Sequence, residues 1–420
     1  MSDKQYLCID LKSFFASVEC VERKLNPMTT DLVVADPARE RGTICLAVSP
    51  SLKAKGVKNR CRVFQIPQGM QYIMAEPRMQ LYIDYSARIY GIYLKYISKE
   101  DIHVYSIDEA FLDVTNYLSF YHLSARELGI RIMNDIKETL GITATCGVGT
   151  NLYLTKIALD ITAKHTRDHI GLLDESSYRE TLWHHRPLTS FWRIGPGIAR
   201  RLQNVGLMDM YDIAHADEDY LYKLFGVDAE YLIDHAWGKE PTTIADIKNY
   251  KASSHSLSSG QVLMHDYNYE DALLIVKEMT DLLCLDLVDQ GLITNSLSLC
   301  VGYTRDSVSS SRGSVTMPVT TNSITVIMKH MVELFHQITN TSIPVRRFNL
   351  SFNNVLDESY EQYDLFTNPE AMERDRNIQH AVLDIKSKYG PGAIMKGMNL
   401  LEAGTTRERI HQIGGHKSGT

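Results

Sequence analysis

Tyr105-Ser106-Ile107-Asp108-Glu109-Ala110-Phe111-Leu112-Asp113 sets two adjacent carboxylates between two apolar, alternating runs. Runs 102–105 and 110–114 predict the strands of a β-hairpin with Asp108 and Glu109 at its bend. Asp and Glu are poor strand formers, so their pairing here needs a reason. A solvated hairpin tip is one. A divalent-cation site is the other, because Mg2+ takes hard oxygen ligands, usually one or two carboxylates completed by substrate phosphates.

A third carboxylate favours the metal. The apolar run Tyr6-Leu7-Cys8-Ile9 ends at Asp10, as a buried strand ends at a catalytic edge. The chain continues Leu11-Lys12-Ser13-Phe14-Phe15-Ala16-Ser17-Val18-Glu19, where Phe15 and Val18 are spaced for the inner face of a helix. Two metals about 3.5–4 Å apart, clamped by such carboxylates, activate an attacking hydroxyl and stabilise a leaving phosphate.

Ile9-Asp10, Phe14 to Glu19, Ser106 to Ala110 and Thr155-Lys156-Ile157-Ala158 together resemble the Y-family (translesion) DNA polymerases, in their bacterial UmuC-like branch. The resemblance implies a multidomain α/β and α+β chain, a palm-fingers-thumb polymerase with a C-terminal β-α-β-β-α-β little finger. The palm would occupy 1–30 and 76–165, the fingers 31–75, and a thumb with a helix-hairpin-helix 166–240. A linker at 241–252, the little finger at 253–355 and a tail at 356–420 would follow. The resemblance further implies that Asp10, Asp108 and Glu109, with the carbonyl of Leu11, hold two Mg2+ ions. A primer 3′-hydroxyl would then attack the α-phosphate of a dNTP and release pyrophosphate.

Phe14 and Phe15 would lie at the nucleotide, and Phe15 falls where this family has its steric gate. A ring packed against C2′ leaves no room for a ribose hydroxyl; ordinary core packing is the competing reading of Phe15. Ser49 to Val57 resembles the family's fingers helix, which commonly reads Tyr-x-x-Arg. Here Pro50 stands near the usual Tyr and Lys53 at the usual Arg, so a point charge replaces a planar fork. Lys164 is the second cation expected at the triphosphate.

A chain of 420 residues has room for two to four domains, each with its own core. No apolar run approaches the roughly 18 residues that span a bilayer, and no signal-peptide pattern opens the chain. Cys8, Cys20, Cys45, Cys61, Cys146, Cys284 and Cys300 are scattered and form no C-x-x-C pair, which argues against zinc and disulfides. A reducing cytoplasm, with nucleoid association during activity, is expected. The net charge of −7 is unusual for a DNA-binding protein. Local basic stretches answer it: Lys53, Lys55, Lys58, Arg60 and Arg62, then Arg193, Arg200 and Arg201.

A helix is expected from 79 to 97, after Pro77. Ser124-Ala125-Arg126-Glu127 is a capping box opening a helix with Leu128, Ile132, Ile136 and Leu140 on one face. Gly147-x-Gly149 ends a strand and lacks the third glycine of a dinucleotide fingerprint. Beyond 166 strand signals fade. Arg193-Ile194-Gly195-Pro196-Gly197 to Leu202 reads as a helix-hairpin-helix, in which Gly195 and Gly197 let amides approach a phosphate and Arg200 and Arg201 add charge. A tight turn between core helices is the plainer reading. From 256 to 352 the order is β-α-β-β-α-β, with acids in the first helix (Glu270, Asp271, Glu278, Asp281, Asp286, Asp289) and Arg305, Arg312, Arg346 and Arg347 near strands. That segregation predicts a sheet face toward DNA and a helical face toward solvent.

Gln362-Tyr363-Asp364-Leu365-Phe366 resembles the Q-x-x-L-F motif that binds the bacterial sliding clamp, with Gln362, Leu365 and Phe366 as anchors. The remaining residues predict an amphipathic helix with Ile378, Val382 and Ile385, then a partly ordered tail. The partners implied are primer-template DNA, dNTP, the clamp and an SOS accessory protein, with no membrane. A metal-dependent cyclase or nuclease could share the carboxylates, and a catalytically silent replication regulator is a third reading. Neither calls for the gate, the helix-hairpin-helix and the clamp motif at once.

Overall fold

Alternation along one strand organises the N-terminal half. The computed structural model describes residues 4–39, 42–304, 308–360 and 368–419, in two units, Met1–Tyr250 and Lys251–Ser418. The first runs β1 (Tyr6–Leu11), α1 (Phe14–Glu22), β2 (Leu32–Val34), β3 (Ala47–Val48), α2 (Pro50–Ala54), β4 (Ile73–Ala75) and α3 (Met79–Tyr93). It continues β5 (Ile102–Val104), β6 (Glu109–Asp113), α4 (Leu118–Tyr121), α5 (Ala125–Leu140), β7 (Ala144–Gly149), α6 (Leu152–Ile157) and β8 (Ile170–Leu173).

Five strands form a sheet in the order β5-β6-β1-β7-β8. Leu7, Ile9 and Leu11 of β1 join Ala110, Leu112, Cys146 and Val148 in a core with α1, α3 and α5. The alternate residues Tyr6 and Cys8 pack with Phe111, Leu152, Leu159 and Ile244 on the other face. By the two-residue period of a strand, Asp10 and Glu109 share that second face. The helix α5 begins at the expected capping box, Ser124 accepting from the Glu127 amide, and buries Leu128, Ile132, Ile136 and Leu140.

The paired glycines have a packing reason. A Cβ at Gly147 would stand 2.1 Å from the Thr155 carbonyl oxygen, one at Gly149 2.5 Å from the Thr155 amide, and one at Gly171 2.3 Å from the Ala158 carbonyl. Gly147 and Gly171 are register partners across β7 and β8. The three therefore make a flat floor on which α6 and the π-helical turn Ala158–Thr162 lie directly against the sheet.

Three expectations need correction in this unit. The sheet runs past residue 165, because Ile170–Leu173 pairs parallel with β7; four residues after a polar stretch are too few to announce a strand. The expected helix over 79–97 starts at Met79, behind the N-cap Arg78, but stops at Tyr93. The expected linker contains α12, Ile244–Asn249, whose Ile244 is buried in the second core. A smaller sheet of order β3-β2-β4 carries its own core of Val33, Ala35, Cys45, Val48, Leu52, Val57, Val63 and Ile66.

Helices α7 (Glu175–Leu182), α8 (Pro196–Gln203), α9 (Met210–Ala214), α10 (Glu218–Phe225) and α11 (Ala229–Ala236) precede α12. Their core includes Tyr153, Leu154, Ile157 and Ala158. So α6 touches the sheet with one side and this helical layer with the other.

The second unit has the expected β-α-β-β-α-β order: β9 (Leu257–Tyr267), α13 (Tyr269–Asp289), β10 (Leu292–Tyr303), β11 (Ser311–Thr321), α14 (Ile324–Ile338) and β12 (Val345–Asn353). The sheet order is β11-β10-β12-β9, and both helices cover one face. Arg312, Ser314, Thr316, Arg347 and Asn349 are exposed on strands of that sheet. Gly302 lacks a Cβ where one would lie 2.3 Å from the Arg347 side chain, which leaves room for that arginine.

The tail is a folded layer rather than a partly ordered end. After β13 (Leu356–Asp357) come α15 (Pro369–Tyr389) and α16 (Thr406–Arg409), which pack back on the unit. Glu278 of α13, 1 % exposed, accepts from the Thr405 amide at 2.7 Å, the Thr406 amide at 3.2 Å and Asn399 Nδ2 at 2.9 Å. Lys396 pairs with Asp281 at 2.6 Å. Glu278 and Asp281 are thus buried, against the expectation that the helix's acids face solvent; the C-terminal segment supplies their partners. Gln362, Leu365, Phe366 and Arg305 lie outside the described residues.

Candidate active site

The β1–β6 register sets Asp10 opposite Glu109, and the Leu11 amide donates to the Asp108 carbonyl at 2.9 Å. Residues almost a hundred positions apart therefore converge at the hairpin bend. Ser86 Oγ donates to the Ile107 carbonyl at 2.6 Å, and Ser106 Oγ to Asp108 at 2.7 Å, which pins the bend to α3 and orients Asp108. Burial first, then the charges of Asp108 and Glu109, push the Asp10 carboxyl up to about 7. Crowded carboxylates of this kind resist ionising together, and a divalent cation relieves them.

Glu109 is engaged elsewhere. Its Oε2 accepts from Lys156 Nζ at 2.8 Å and its Oε1 from the Cys8 thiol at 3.2 Å. Burial works against the Lys156 charge, but Asp160 and Glu109 outweigh it and raise its pKa above the ordinary lysine value. Among the described residues no three His, Cys, Asp or Glu side chains gather as a ready metal cage. The three expected ligands meet at one place without closing on an ion by themselves. Hard oxygens in that number still suit Mg2+, which is usually completed by water and substrate phosphate.

The cations expected at a triphosphate are near the carboxylates. Lys53, at the end of α2, has its pKa lowered by the surrounding protein, raised by Asp10 and Asp108, and lowered again by Lys164. Lys53 thus lies within electrostatic range of Asp10 and Asp108, and Lys164 within range of Lys53. Among the described residues neither lysine makes an ion pair.

Phe14 is 2 % exposed and belongs to the core, so its side chain is withdrawn from any nucleotide and only its main chain remains. Phe14 and Val18, four apart, take the inner face of α1 that Phe15 and Val18 were expected to share. Phe15 is half-buried and stacks on Tyr82, centroids 4.4 Å apart and planes within 14°. Tyr82 is itself fixed by a 2.8 Å bond to Glu19, a fully buried carboxylate that also takes both Arg78 nitrogens at 3.0 and 2.9 Å. This backing for the ring was invisible in the sequence, because Tyr82 lies 67 residues away on a helix rich in tyrosine.

Gly195 caps α8, and a Cβ at Gly195 or Gly197 would meet nothing within 4 Å. Open amide approach is therefore preserved there. Arg200 is exposed. Arg201 is otherwise occupied: its guanidinium donates to the Leu224 carbonyl at the end of α10 and covers the Phe225 ring at 4.4 Å. Arg201 thus clamps a helix end while remaining exposed. Lys156 and Tyr82 are residues of the site that the sequence did not assign, although Lys156 stands inside the Thr155 to Ala158 motif.

A family model described as "impB/mucB/samB family" matches residues 9–160, and its "C-terminal domain" model matches 254–365. The chain is 30% identical over 418 residues to "Putative UV-damage repair protein UvrX" of Bacillus subtilis (strain 168), covering 99% of this chain and 98% of that one. It is 28% identical over 422 residues to "DNA polymerase IV 2" of the same organism, covering 99% of each. A solved structure, "Y-family DNA polymerase chimera Dbh-Dpo4(243-245)-Dbh", superposes with a TM-score of 0.65 at 22% identity over 84% of this chain and 99% of that one. The chain belongs to the impB/mucB/samB family, the Y-family translesion DNA polymerases.

Proposed function

We propose that this chain extends a primer on a DNA template, adding dNTPs in translesion synthesis during DNA repair and the SOS response. The observation that carries the reading is the convergence of Asp10 with Asp108 and Glu109 across the β1–β6 register, within range of Lys53, which has Lys164 beside it. Asp10, Asp108, Glu109 and the Leu11 carbonyl would hold two Mg2+ ions. Bound there, the ions would supply Lewis-acid activation of the primer hydroxyl and charge neutralisation at the leaving pyrophosphate.

The protein's own residues do the rest. Lys53 and Lys164 offset the charge of the triphosphate. The free face of Phe15, its other face held by Tyr82, closes the space at the sugar's 2′ position. Gly195, Gly197 and Arg200 take the duplex backbone without reading sequence, and the exposed strand residues of the second unit supply a further backbone surface. Gln362, Leu365 and Phe366 would tether the enzyme to a sliding clamp, raising its concentration at primer ends. An SOS accessory protein and a cytoplasmic setting fit this role; among the described residues no helix is long and apolar enough to cross a membrane.

Primer extension with Mg2+ tests the reading. Template-directed extension by the wild type and its loss in Asp108→Ala support it. Nucleotide turnover independent of template would favour a cyclase or nuclease, and DNA binding with no turnover a regulator.

A further inference from the structure

Tyr105 closes the hairpin bend beside the metal-ligating carboxylates. Its amide and that of Ser106 both donate to the Glu109 carbonyl at 3.0 Å, so a shift of Tyr105 moves Glu109 directly. The Tyr105 side chain is 46% exposed, yet it is held on several sides. Its hydroxyl accepts from the Trp192 indole Nε1 at 3.1 Å, and the two rings meet edge to face with centroids 6.0 Å apart. Lys156 Nζ, which holds the Glu109 carboxylate, lies 5.8 Å from the Tyr105 ring centroid.

Trp192 extends this line into the helical layer. It packs against Phe111 of β6 at 6.3 Å and parallel to His235 at 6.2 Å. The next residue, Arg193, takes a left-handed backbone with φ 69°, unfavourable for any residue with a Cβ. That turn lays its guanidinium over the Trp192 and Tyr231 rings, 5.3 and 4.6 Å from their centroids. Gly195 and the start of α8 follow at once. Tyr105, Trp192, Arg193, Ile194 and Gly195 together wall an open cleft of about 500 Å3.

A hydroxyl carries one proton and two lone pairs. The indole uses a lone pair of Tyr105 and leaves its proton free to donate into that cleft. A cleft edged by a hydroxyl donor, a guanidinium and an open glycine at a helix start suits a phosphate backbone.

We propose that Tyr105 and Trp192 are positioning residues that couple the seating of duplex at the turn before α8 to the placement of Glu109. The inference rests on the polymerase reading above. With the duplex seated, the Tyr105 hydroxyl donates to a primer-strand phosphate oxygen and keeps its bond from the indole. The hairpin bend is then held from the DNA side as well as from within.

The test is a double-mutant cycle on primer extension with Tyr105→Phe, Trp192→Phe and the two combined, since a cycle isolates coupling. Both changes keep an aromatic ring, and circular dichroism melting verifies folding. Each single variant is expected to slow the maximal single-turnover rate about three- to tenfold, the scale of one hydrogen bond. Duplex affinity should weaken on the same scale in Tyr105→Phe, which loses the phosphate contact, and stay within about twofold in Trp192→Phe, while the rate of the double variant should match that of the slower single within about twofold. Effects that multiply, a loss confined to DNA affinity, or unchanged rates in the single variants would overturn the inference while leaving the polymerase reading intact. A wild-type chain that extends no primer overturns both.

Discussion

Gly147→Ala adds one methyl group where the structure has no space for it. The new Cβ would stand 2.1 Å from the Thr155 carbonyl oxygen, 2.5 Å from the Leu159 amide nitrogen and 2.9 Å from the Leu159 Cβ. Two of these are main-chain atoms, which cannot swing aside as a side chain can. The helical segment must therefore lift from the sheet by more than about 1 Å to restore ordinary contact. Overpacking of this kind costs about 1–3 kcal/mol, and backbone neighbours put the expected loss near the upper end, about 3 kcal/mol. Lys156 rides on the same helix, 2.8 Å from Glu109, so lifting it also loosens a pair whose two side chains are 9% and 10% exposed. Urea denaturation read by tryptophan fluorescence measures the effect, because Trp183, Trp192 and Trp237 are the chain's three tryptophans and all lie in the first unit. Gly91→Ala is the control: Gly91 is exposed near the end of α3, with nothing within 4 Å of an added Cβ, and should gain about 0.5–1 kcal/mol from the same change. A Gly147→Ala protein within about 0.5 kcal/mol of the wild type would refute the close-contact argument.

Phe15→Ala should raise ribonucleotide incorporation relative to deoxyribonucleotide by about ten- to a hundredfold, the range over which an apolar wall rejects an added hydroxyl. Unchanged discrimination would remove the gate assignment. Replacing Leu365 and Phe366 with Ala should abolish retention on immobilised sliding clamp while sparing extension of short primed DNA; persistent retention counts against the motif. Burial pushes the Glu19 carboxyl up, but hydrogen bonds from Arg78, Arg23 and Tyr82 outweigh it and leave its pKa below the ordinary glutamate value. Its stabilisation is therefore complete above the unfolded value of about 4.3 and is lost as pH falls through the lower folded one. Unfolding midpoints between pH 6 and 3 should fall more steeply for the wild type than for Glu19→Gln, and parallel curves would contradict this.

The parts of the fold that could be read from the chain were those governed by local rules. The hairpin followed from alternation, α5 from its capping box and periodic leucine and isoleucine positions, and the β-α-β-β-α-β unit from its strand spacing. Long-range packing left weaker traces. Gly147 and Gly149 looked like half of a nucleotide fingerprint, whereas their purpose depends on Gly171, a partner only the parallel pairing with β8 reveals. Phe14 and Phe15 are adjacent and chemically identical; which one enters the core is set by where α1 meets α3, as the stacking of Phe15 on Tyr82 makes plain. Arg201 and Arg200 differ in the same way, since only the position of α10 decides that one of them clamps a helix end. The carboxylates were legible because paired acids between apolar strands are rare, while Lys156 and Cys8 were not, because a buried counter-charge has no pattern of its own.

The layer folded over α13 changes how this protein can be cut. Trimming the chain at the end of its matched C-terminal domain would strip Glu278 of the amides of Thr405 and Thr406 and Asp281 of Lys396. Two acids now shielded would then be bared on a helix evolved to be roofed. A domain-exchange experiment that borrows residues 254–365 alone would thus import a defect, and any clean transplant must take residues 368–418 along with it.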